Sequence, residues 1–489
     1  MPEEKKVPEK AEKENTSKTS VEETTSQTKH SIKLRGEKIN YTVTTGTIVL
    51  KEEDVEEGEK QKASIFYVAY IKDDGDFNRP VTFSFNGGPG SSSVWMHLGL
   101  LGPKRVHMDD EGIPIGPPYQ LVDNEFSLFD ESDLVFVDPV STGYSRPVPK
   151  EKPEQFHNVK KDIEIVGEFI RVWTTRNRRW TSPKFIIGES YGTTRAGGLA
   201  GYLHQKHGMY LNGIMFISSI LNFITARFNE GNDLPFILFL PSYTASAWYH
   251  GKLPKDLQSD LNLALKEARE FALNEYTLAL MKGNDLKGDE REKIVHHLTR
   301  LTGLSQKYIE GTNLRINIHR FCKELLREEG ETIGRLDSRY KGFDRDTVGE
   351  VHELDPSYAA ILGPYTATMY DYLRRDLNYE TDLPYEILKS LYQSWKYDNY
   401  QNQYVNTSED LRVGFQLHPG LKAIVCNGYF DLATPFLATE YTFNHIPLPE
   451  EQQKNIKMTY YEAGHMMYLH KPSLSKLSAD LHAFIKDAI

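Results

Sequence analysis

Gly188-Glu189-Ser190-Tyr191-Gly192 is the stretch of sequence that decides the fold. The apolar run 185–187 before it is typical of a buried strand, and residues 193–204 after it are typical of a helix. A serine at such a turn takes a strained backbone conformation, and flanking glycines let the strand and the helix approach without a Cβ clash. The pattern predicts that the Ser190 hydroxyl is lifted out of a sheet edge. An ordinary glycine-rich turn is the alternative interpretation.

The composition is that of a large folded protein with an acidic surface. The chain has 489 residues, of which 39% are hydrophobic and 11% aromatic, and its formal net charge is −11 at pH 7. This net negative charge argues against a nucleic-acid partner, and acidic and basic residues are mixed along the chain. No apolar run is long enough to span a membrane. The apolar run at residues 234–241 is too short and is interrupted by prolines. We therefore predict neither nucleic-acid binding nor membrane insertion, and the oligomeric state stays open.

The cysteines and the N-terminal segment bear on the cellular compartment. Cys322 and Cys426 are too few for a disulfide framework or a CxxC metal site, and a single bridge between them stays open. Residues 1–29 are rich in Lys, Glu, Thr and Ser, so we expect a disordered tail without the apolar region of a signal peptide. The favoured interpretation is a secreted or periplasmic protein whose signal has been removed. A cytoplasmic protein with a native N-terminus is the alternative.

The order of strands and helices predicts an α/β fold. Residues 39–43, 47–50 and 63–71 are β-rich and suggest an antiparallel entry into a sheet, with the charged segment 51–62 as a turn. Short apolar strands follow, separated by helical segments in several places. They are predicted at residues 81–85, 133–137, 184–187, 213–218, 422–426 and 458–461. This alternation predicts a mostly parallel sheet covered by helices on both faces.

A long helical insertion separates two halves of this sheet. Helical spacing of apolar residues and a fading strand signal place the insertion at residues 226–405. Its helices are predicted at residues 257–272, 289–301, 316–329, 357–375 and 384–395. The predicted division is therefore a tail at 1–29, a core at 30–225 and 406–489, and a helical cap at 226–405. We expect the cap to cover the active site, and a purely stabilising subdomain is the alternative.

Two residues near the C-terminus fit the partners that a serine nucleophile needs, a base and a group that orients the base. Asp431 follows the predicted strand 422–426, and His465 follows the strand 458–461. α/β-Hydrolases carry serine, acid and histidine in this order, each at the carboxyl end of a strand. Ser190, Asp431 and His465 are therefore predicted to form a catalytic triad. His470 is a disfavoured alternative base because it lies near the predicted start of the final helix region.

The segment 86–90, Asn-Gly-Gly-Pro-Gly, follows an earlier strand and is predicted to supply N–H groups to an oxyanion. A phosphate-binding loop is disfavoured because no Gly-Lys-Ser/Thr follows. No metal or organic cofactor is predicted. His296 and His297 are adjacent and face different directions on a helix. The segment around His352 lacks the second histidine of a zinc-binding helix.

Several separate motifs together resemble the serine carboxypeptidase family, over about residues 81–221 and from about 421 to the C-terminus. These motifs are residues 86–93, Gly102-Pro103, Val137-Asp138-Pro139, Gly143-Tyr144-Ser145, the serine turn 188–192, residues 428–431 and Gly464-His465-Met466. The resemblance implies an α/β-hydrolase fold, a Ser-Asp-His triad and removal of C-terminal residues from peptides. It also implies that Gly88 and Tyr191 supply the oxyanion N–H groups.

The resemblance further implies that Asn86, Gly87 and Glu189 bind the terminal carboxylate of the substrate. Burial would raise the pKa of Glu189, so that the protonated acid donates a hydrogen bond to that carboxylate. A Glu189 that is satisfied by N–H groups at the helix start is the alternative.

Three positions depart from the well-studied eukaryotic members and indicate a prokaryotic branch. Ser84 stands where they have Trp, Leu100 where they have a second Glu, and Ser91 where they have Cys. The triad is intact, but one partner of the paired carboxyl groups is missing. Strict exopeptidase action and an acidic pH optimum therefore stay open. The alternatives are another serine acyl hydrolase or acyltransferase, such as an esterase or an aminopeptidase-like enzyme, and a non-catalytic binding protein.

Overall fold

A ten-stranded mixed sheet lies at the centre of the computed structural model, which describes residues 20–55 and 58–489. The strands of the described residues are β1 (Thr25–Leu34), β2 (Glu37–Asp54), β3 (Gly58–Lys72), β4 (Val81–Phe85), β5 (Lys104–Val106), β6 (Leu121–Asp123), β7 (Asp133–Val137), β8 (Arg146–Pro147), β9 (Lys184–Ser190), β10 (Gly213–Ser219), β11 (Thr332–Ile333), β12 (Lys341–Gly342), β13 (Lys422–Gly428) and β14 (Ile456–Tyr461). The sheet has the order β1-β2-β3-β7-β4-β9-β10-β13-β14, and β8 pairs with β3. β5 and β6 form one small sheet, and β11 and β12 form another.

The strand directions divide this sheet into two parts. β1, β2, β3 and β7 are joined by antiparallel pairs, whereas β7, β4, β9, β10, β13 and β14 are joined by parallel pairs. Every residue of β4 and β7 is buried, as expected for parallel strands covered on both faces. The predicted α/β-hydrolase fold class is confirmed.

Helices cover both faces of the sheet. The α-helices of the described residues are α1 (Val94–Met96), α2 (Val159–Arg176), α3 (Tyr191–His207), α4 (Leu234–Tyr249), α5 (Lys255–Gln258), α6 (Leu261–Phe271), α7 (Thr277–Lys282), α8 (Gly288–Thr302), α9 (Gln306–Gly311), α10 (Ile318–Glu324), α11 (Pro356–Asp371), α12 (Ser408–Leu417), α13 (Phe436–Asn444), α14 (Glu450–Gln453) and α15 (Lys471–Asp487). Successive side chains of a strand point to opposite faces. In β9, Ile187 therefore shares a core cluster with Leu481 of α15, while Ile186 shares another with Leu203 of α3.

The helical insertion has a core of its own. Helices α4 to α10 contribute a third apolar cluster, which includes Phe321 and reaches the main domain through Phe430 and Leu432. Tyr365 of α11 instead joins a cluster with the sheet, and Trp395 joins the other. The second half of the insertion therefore packs directly on the main domain. The boundaries of the cap stay a prediction.

Two predictions about the N-terminal region differ from the structure. The tail was predicted to extend to residue 29, but β1 begins at Thr25 and pairs with residues 37–46 of β2, with Thr25 opposite Gly46. Residues 1–19 of the predicted tail lie outside the described residues. The segment 51–62 was predicted as a turn, but β2 continues to Asp54 and β3 starts at Gly58. Main-chain pairing of antiparallel strands needs no apolar side chain, so polar composition is a poor guide at such edges.

The predicted helix over residues 384–395 is wrong. This segment is irregular, and its main chain pairs with the loops that contain Gly90 and Gly143. Glu386 N donates to the carbonyl of Gly143 at 3.1 Å, and Lys389 N donates to the carbonyl of Gly90 at 2.8 Å. These distant main-chain acceptors replace the local hydrogen bonds of a helix.

Two further expectations concern membrane spans and the disulfide. Within the described residues, every helix is too short or too polar to cross a membrane. Cys322 and Cys426 are both buried as free thiols, so the bridge left open by the sequence is not formed.

Candidate active site

Ser190 occupies the sharp turn between β9 and α3. Its backbone has φ 59° and ψ −130°, a strained conformation for a non-glycine residue. A Cβ on Gly188 would lie 2.3 Å from the carbonyl oxygen of Gly192, and one on Gly192 would lie 2.7 Å from the carbonyl oxygen of Phe85. Both glycines are therefore required by the close packing of the strand, the helix and β4. The half-buried Ser190 lines a cavity.

Asp431 and His465 meet because β13 and β14 are parallel and their carboxyl ends lie at the same edge of the sheet. Nδ1 of His465 lies 2.8 Å from Oδ2 of Asp431, and both side chains are buried. Because the ionised carboxylate accepts from Nδ1, the neutral ring carries its proton there and keeps a lone pair on Nε2. His465 lines the same cavity as Ser190. This arrangement suits a ring that takes a proton from the serine hydroxyl.

The Asp431 carboxylate is held by donors of the loop that follows it. Its Oδ1 accepts from the main-chain N–H groups of Ala433 at 2.7 Å and Thr434 at 2.9 Å. The Thr434 hydroxyl donates to Oδ2 at 2.7 Å. These bonds leave the carboxylate little freedom to rotate away from the imidazole.

The loop that carries His465 is fixed from two sides. The Ser218 hydroxyl, at the end of β10, donates to the His465 carbonyl at 2.6 Å. The main-chain N–H of His465 donates to the carbonyl of Leu336, in the insertion, at 2.7 Å. Burial by itself lowers the pKa of His465, but the charge and hydrogen bond of Asp431, with a contribution from Glu189, raise it above 6.5 overall.

The glycine-rich loop after β4 lies against the start of α3. A Cβ on Gly87 would lie 2.5 Å from the main-chain nitrogen of Tyr191, so a larger residue would collide with it. Gly88 has φ +106°, a conformation that favours glycine. The loop that carries Gly88 therefore packs against Tyr191 through Gly87, at a helix N-terminus that carries partial positive charge.

Glu189 is a buried acid beside the triad. The Tyr468 hydroxyl donates to its Oε2 at 2.6 Å. Burial raises the pKa of Glu189 to about 7; His465, Tyr468 and Asn86 oppose this rise, and Asp431 adds to it. The observed donor is a tyrosine side chain, unlike the helix-start N–H groups of the alternative interpretation.

Asn86 places a buried amide group next to Glu189. It is buried, and its Oδ1 accepts from Met96 N at 3.2 Å. Within residues 20–55 and 58–489, its Nδ2 makes no hydrogen bond of good geometry. Arg195, which pairs with Asp162 at 2.9 Å, donates to the Asn86 carbonyl at 2.8 Å and so fixes the main chain at this position.

A cavity of about 580 Å³ joins these groups. It brings together Asn86, Gly87, Gly88, Glu189, Ser190 and His465, while Asp431 lies buried behind the imidazole. Its remaining lining residues are Pro89, Ser91, Trp95, Arg335, Leu336, His352, Asp355, Tyr358, Ile361, Leu388, Lys389, Ser390, Tyr392 and Met466. Most of these come from the insertion, where no sequence motif pointed to them. Tyr468 was also missed, and its closeness to His465 in the chain was the one available signal.

The alternative base His470 and one group of possible metal ligands both lie outside the lining of this cavity. His470 does not line the cavity, and its Nδ1 lies 2.8 Å from the Ser473 hydroxyl. Within the described residues, Asp130, Glu131 and His482 are close enough together to hold a metal ion, but none of the three lines the cavity.

A family model matches most of this chain, and curated relatives match parts of it. The model of the serine carboxypeptidase family matches residues 53–476. The pheromone-processing carboxypeptidase KEX1 of Saccharomyces cerevisiae is 35% identical over 103 residues, which cover 20% of this chain and 13% of KEX1. Serine carboxypeptidase-like 35 of Arabidopsis thaliana is 27% identical over 183 residues, which cover 34% of each protein. The matches thus span 13% and 34% of the length of these two curated relatives.

A solved structure supports the fold. The crystal structure of KEX1(delta)p, a prohormone-processing carboxypeptidase from Saccharomyces cerevisiae, has a TM-score of 0.54 at 16% identity and covers 91% of this chain and 92% of that one. The family model covers most of the chain, and the resemblance found in the sequence is confirmed. The protein belongs to the serine carboxypeptidase family and has an α/β-hydrolase fold.

Proposed function

We propose that this protein is a serine carboxypeptidase that hydrolyses the last peptide bond of a peptide through an acyl-enzyme on Ser190. One observation carries the proposal. His465, hydrogen-bonded to Asp431 at 2.8 Å, lines the same cavity as Ser190. Each residue follows a strand of the parallel part of the sheet, in the chain order of an α/β-hydrolase triad.

The first half of the reaction forms the acyl-enzyme. Nε2 of His465 takes the proton of the Ser190 hydroxyl while Oγ attacks the scissile carbonyl carbon. Asp431 keeps Nδ1–H in place and stabilises the imidazolium. The N–H groups of Gly88 and Tyr191 are proposed to donate to the oxyanion of the tetrahedral intermediate. His465 then gives its proton to the leaving amine, the C–N bond breaks, and the last amino acid departs.

The second half releases the shortened peptide. A water molecule takes the place of the departed amino acid and attacks the ester carbonyl. His465 removes a proton from this water and returns it to the Ser190 oxygen as the ester bond breaks. The serine hydroxyl is thereby restored, and the shortened peptide leaves with a new C-terminal carboxylate.

Recognition of the terminal carboxylate is assigned to Asn86, Gly87 and Glu189. A carboxylate facing a carboxylate is repulsive, but a protonated acid donates a hydrogen bond. The pKa of Glu189, raised by burial to about 7, keeps this acid largely protonated below neutrality. Asn86, whose Nδ2 forms no hydrogen bond of good geometry within the described residues, lines the same cavity. Buried Leu100 offers no second acid, so Glu189 acts as the single titrating partner.

The proposal is tested with an N-blocked dipeptide that has a free carboxylate. Ser190→Ala should abolish turnover, and Asp431→Asn and His465→Ala should lower kcat by about 10⁴-fold, because the base is lost or held in the wrong tautomer. Ser259→Ala, which changes an exposed serine, should retain full activity. A fluorophosphonate should add one label to the wild type and none to Ser190→Ala. Wild-type turnover by Ser190→Ala would refute the assignment.

The substrate class is tested with the neutral amide of the same dipeptide. The dipeptide amide lacks the terminal charge and should be cleaved far more slowly than the free acid by a carboxypeptidase. Equal cleavage would favour another acyl hydrolase on the same triad, and absence of fluorophosphonate labelling would favour a binding protein. A secreted or periplasmic location stays a proposal that depends on residues 1–19, outside the described residues.

A further inference from the structure

Arg335 places a cation without an ion-pair partner in the candidate active site. It is half-buried and lines the same cavity as Ser190 and His465. Its main-chain N–H donates to Oδ1 of Asp355 at 3.2 Å. Its guanidinium forms no ion pair with any residue in the part of the chain that the structure describes. A partly buried cation that forms no ion pair favours the binding of an anion.

The chain around Arg335 is joined to both loops that carry the proposed catalytic acid and base. Leu432 N, next to Asp431, donates to the Arg335 carbonyl at 3.1 Å. The His465 N–H donates to the carbonyl of the next residue, Leu336, at 2.7 Å. These two bonds fix the main chain of Arg335 beside the catalytic loops. The guanidinium charge is felt by the imidazole, where it opposes the raised pKa of His465.

Asp355 is hydrogen-bonded to the main chain of Arg335 and not to its guanidinium. Oδ1 of Asp355 accepts from the main-chain N–H groups of Arg335 and Ser357, at 3.2 and 3.0 Å, and also accepts from the Ser357 hydroxyl. Asp355 therefore fixes the main chain and forms no ion pair with the arginine side chain. The other acid in the cavity, Glu189, is largely uncharged below its pKa of about 7.

We propose that Arg335 binds a carboxylate of the substrate. The inference rests on the proposed function for the peptide nature of that substrate. A guanidinium offers two parallel N–H donors to a carboxylate and stays charged at every working pH. The charge of Arg335 thereby supplies the attraction that a single titrating acid, Glu189, cannot supply once it ionises. The carboxylate belongs either to the C-terminus of the peptide or to an acidic side chain of its last residue.

The test measures binding in the Ser190→Ala background, where no chemistry is needed. Three N-blocked dipeptides are titrated by calorimetry. Leu-Leu with a free C-terminus carries only the terminal carboxylate, Leu-Glu amide carries only the side-chain carboxylate, and Leu-Leu amide carries neither. Arg335→Gln should raise Kd about 10- to 100-fold for one of the two charged peptides and leave that of Leu-Leu amide unchanged, as expected for a hydrogen bond to a charged group.

Two variants serve as controls. Arg345→Gln makes the same substitution at an exposed position of the insertion and should leave all three dissociation constants unchanged. Arg335→Lys keeps the charge without the paired donors and should recover part of the affinity.

The pattern across the peptides identifies the carboxylate or refutes the inference. A loss confined to Leu-Leu acid assigns Arg335 to the C-terminus, and one confined to Leu-Glu amide assigns it to the side chain. Unchanged binding of both, or an equal loss for all three peptides, would overturn the proposal. Lys389 is the other basic residue in the cavity lining. A loss of affinity that follows Lys389→Gln and not Arg335→Gln would also overturn the proposal. Hydrolysis by the unmodified enzyme tests the proposed function separately.

Discussion

Replacing Glu189 by Gln should remove the alkaline limb of the pH–rate profile for peptides with a free C-terminus. In the wild type, burial raises the pKa of Glu189 to about 7. In the proposed mechanism, the protonated acid donates to the substrate carboxylate below that pH, and the ionised acid repels the carboxylate above it. The amide of Gln donates at every pH, so the cause of the alkaline limb is lost.

The magnitude follows from this pKa. With a pKa of about 7, about one tenth of Glu189 is protonated at pH 8 and about one hundredth at pH 9. Wild-type kcat/KM should therefore fall about tenfold per pH unit above pH 8, whereas kcat/KM of Glu189→Gln should stay level there.

The assay is kcat/KM between pH 5 and pH 10 for a blocked dipeptide acid and for a blocked amino-acid p-nitrophenyl ester, which has no carboxylate. The wild-type ester profile should show the acid limb alone. Glu462→Gln, which changes an exposed acid on the loop of His465, should keep the wild-type profile with both substrates. An unchanged alkaline limb in Glu189→Gln would refute the role of Glu189. An alkaline limb in the ester profile would assign the titration to the chemical step.

Two further predictions concern the surroundings of this acid and the oxyanion loop. Tyr468→Phe removes the hydroxyl that stabilises ionised Glu189, so the pKa of Glu189 should rise. The alkaline limb for peptides should then move up by about one pH unit. A limb that stays in place or moves to lower pH would contradict this prediction. Gly87→Ala places a Cβ 2.5 Å from the nitrogen of Tyr191 and should lower kcat about 10²- to 10³-fold with the fold intact by circular dichroism. Gly311→Ala meets no atom within 4 Å and is the matched control, and equal kinetics of the two alanine variants would show that the loop accommodates the methyl group.

Parts of the fold with a local signature were predictable from the sequence. The strands β4, β7 and β9 are short apolar runs, since buried parallel strands need apolar residues on both faces. The helix predicted at 384–395 failed for the opposite reason. Its backbone hydrogen bonds go to Gly90 and Gly143, and no pattern within the segment reveals those partners. The early start of β1 at Thr25 likewise depends on pairing with β2.

By itself, the sequence determined the family, the class of fold and the three residues proposed as the triad, because each of these follows a recognisable strand or turn. Only the tertiary structure placed Tyr468 on Glu189 and the unpaired guanidinium of Arg335 in the cavity of Ser190. These neighbours come from separate segments whose spacing follows no period and whose residue types are common on any surface. The position of Tyr468 depends on how the segment after β14 folds back over β9, and that of Arg335 on how the insertion packs on the main domain. Such packing is set by many weak apolar contacts that no short stretch of sequence encodes.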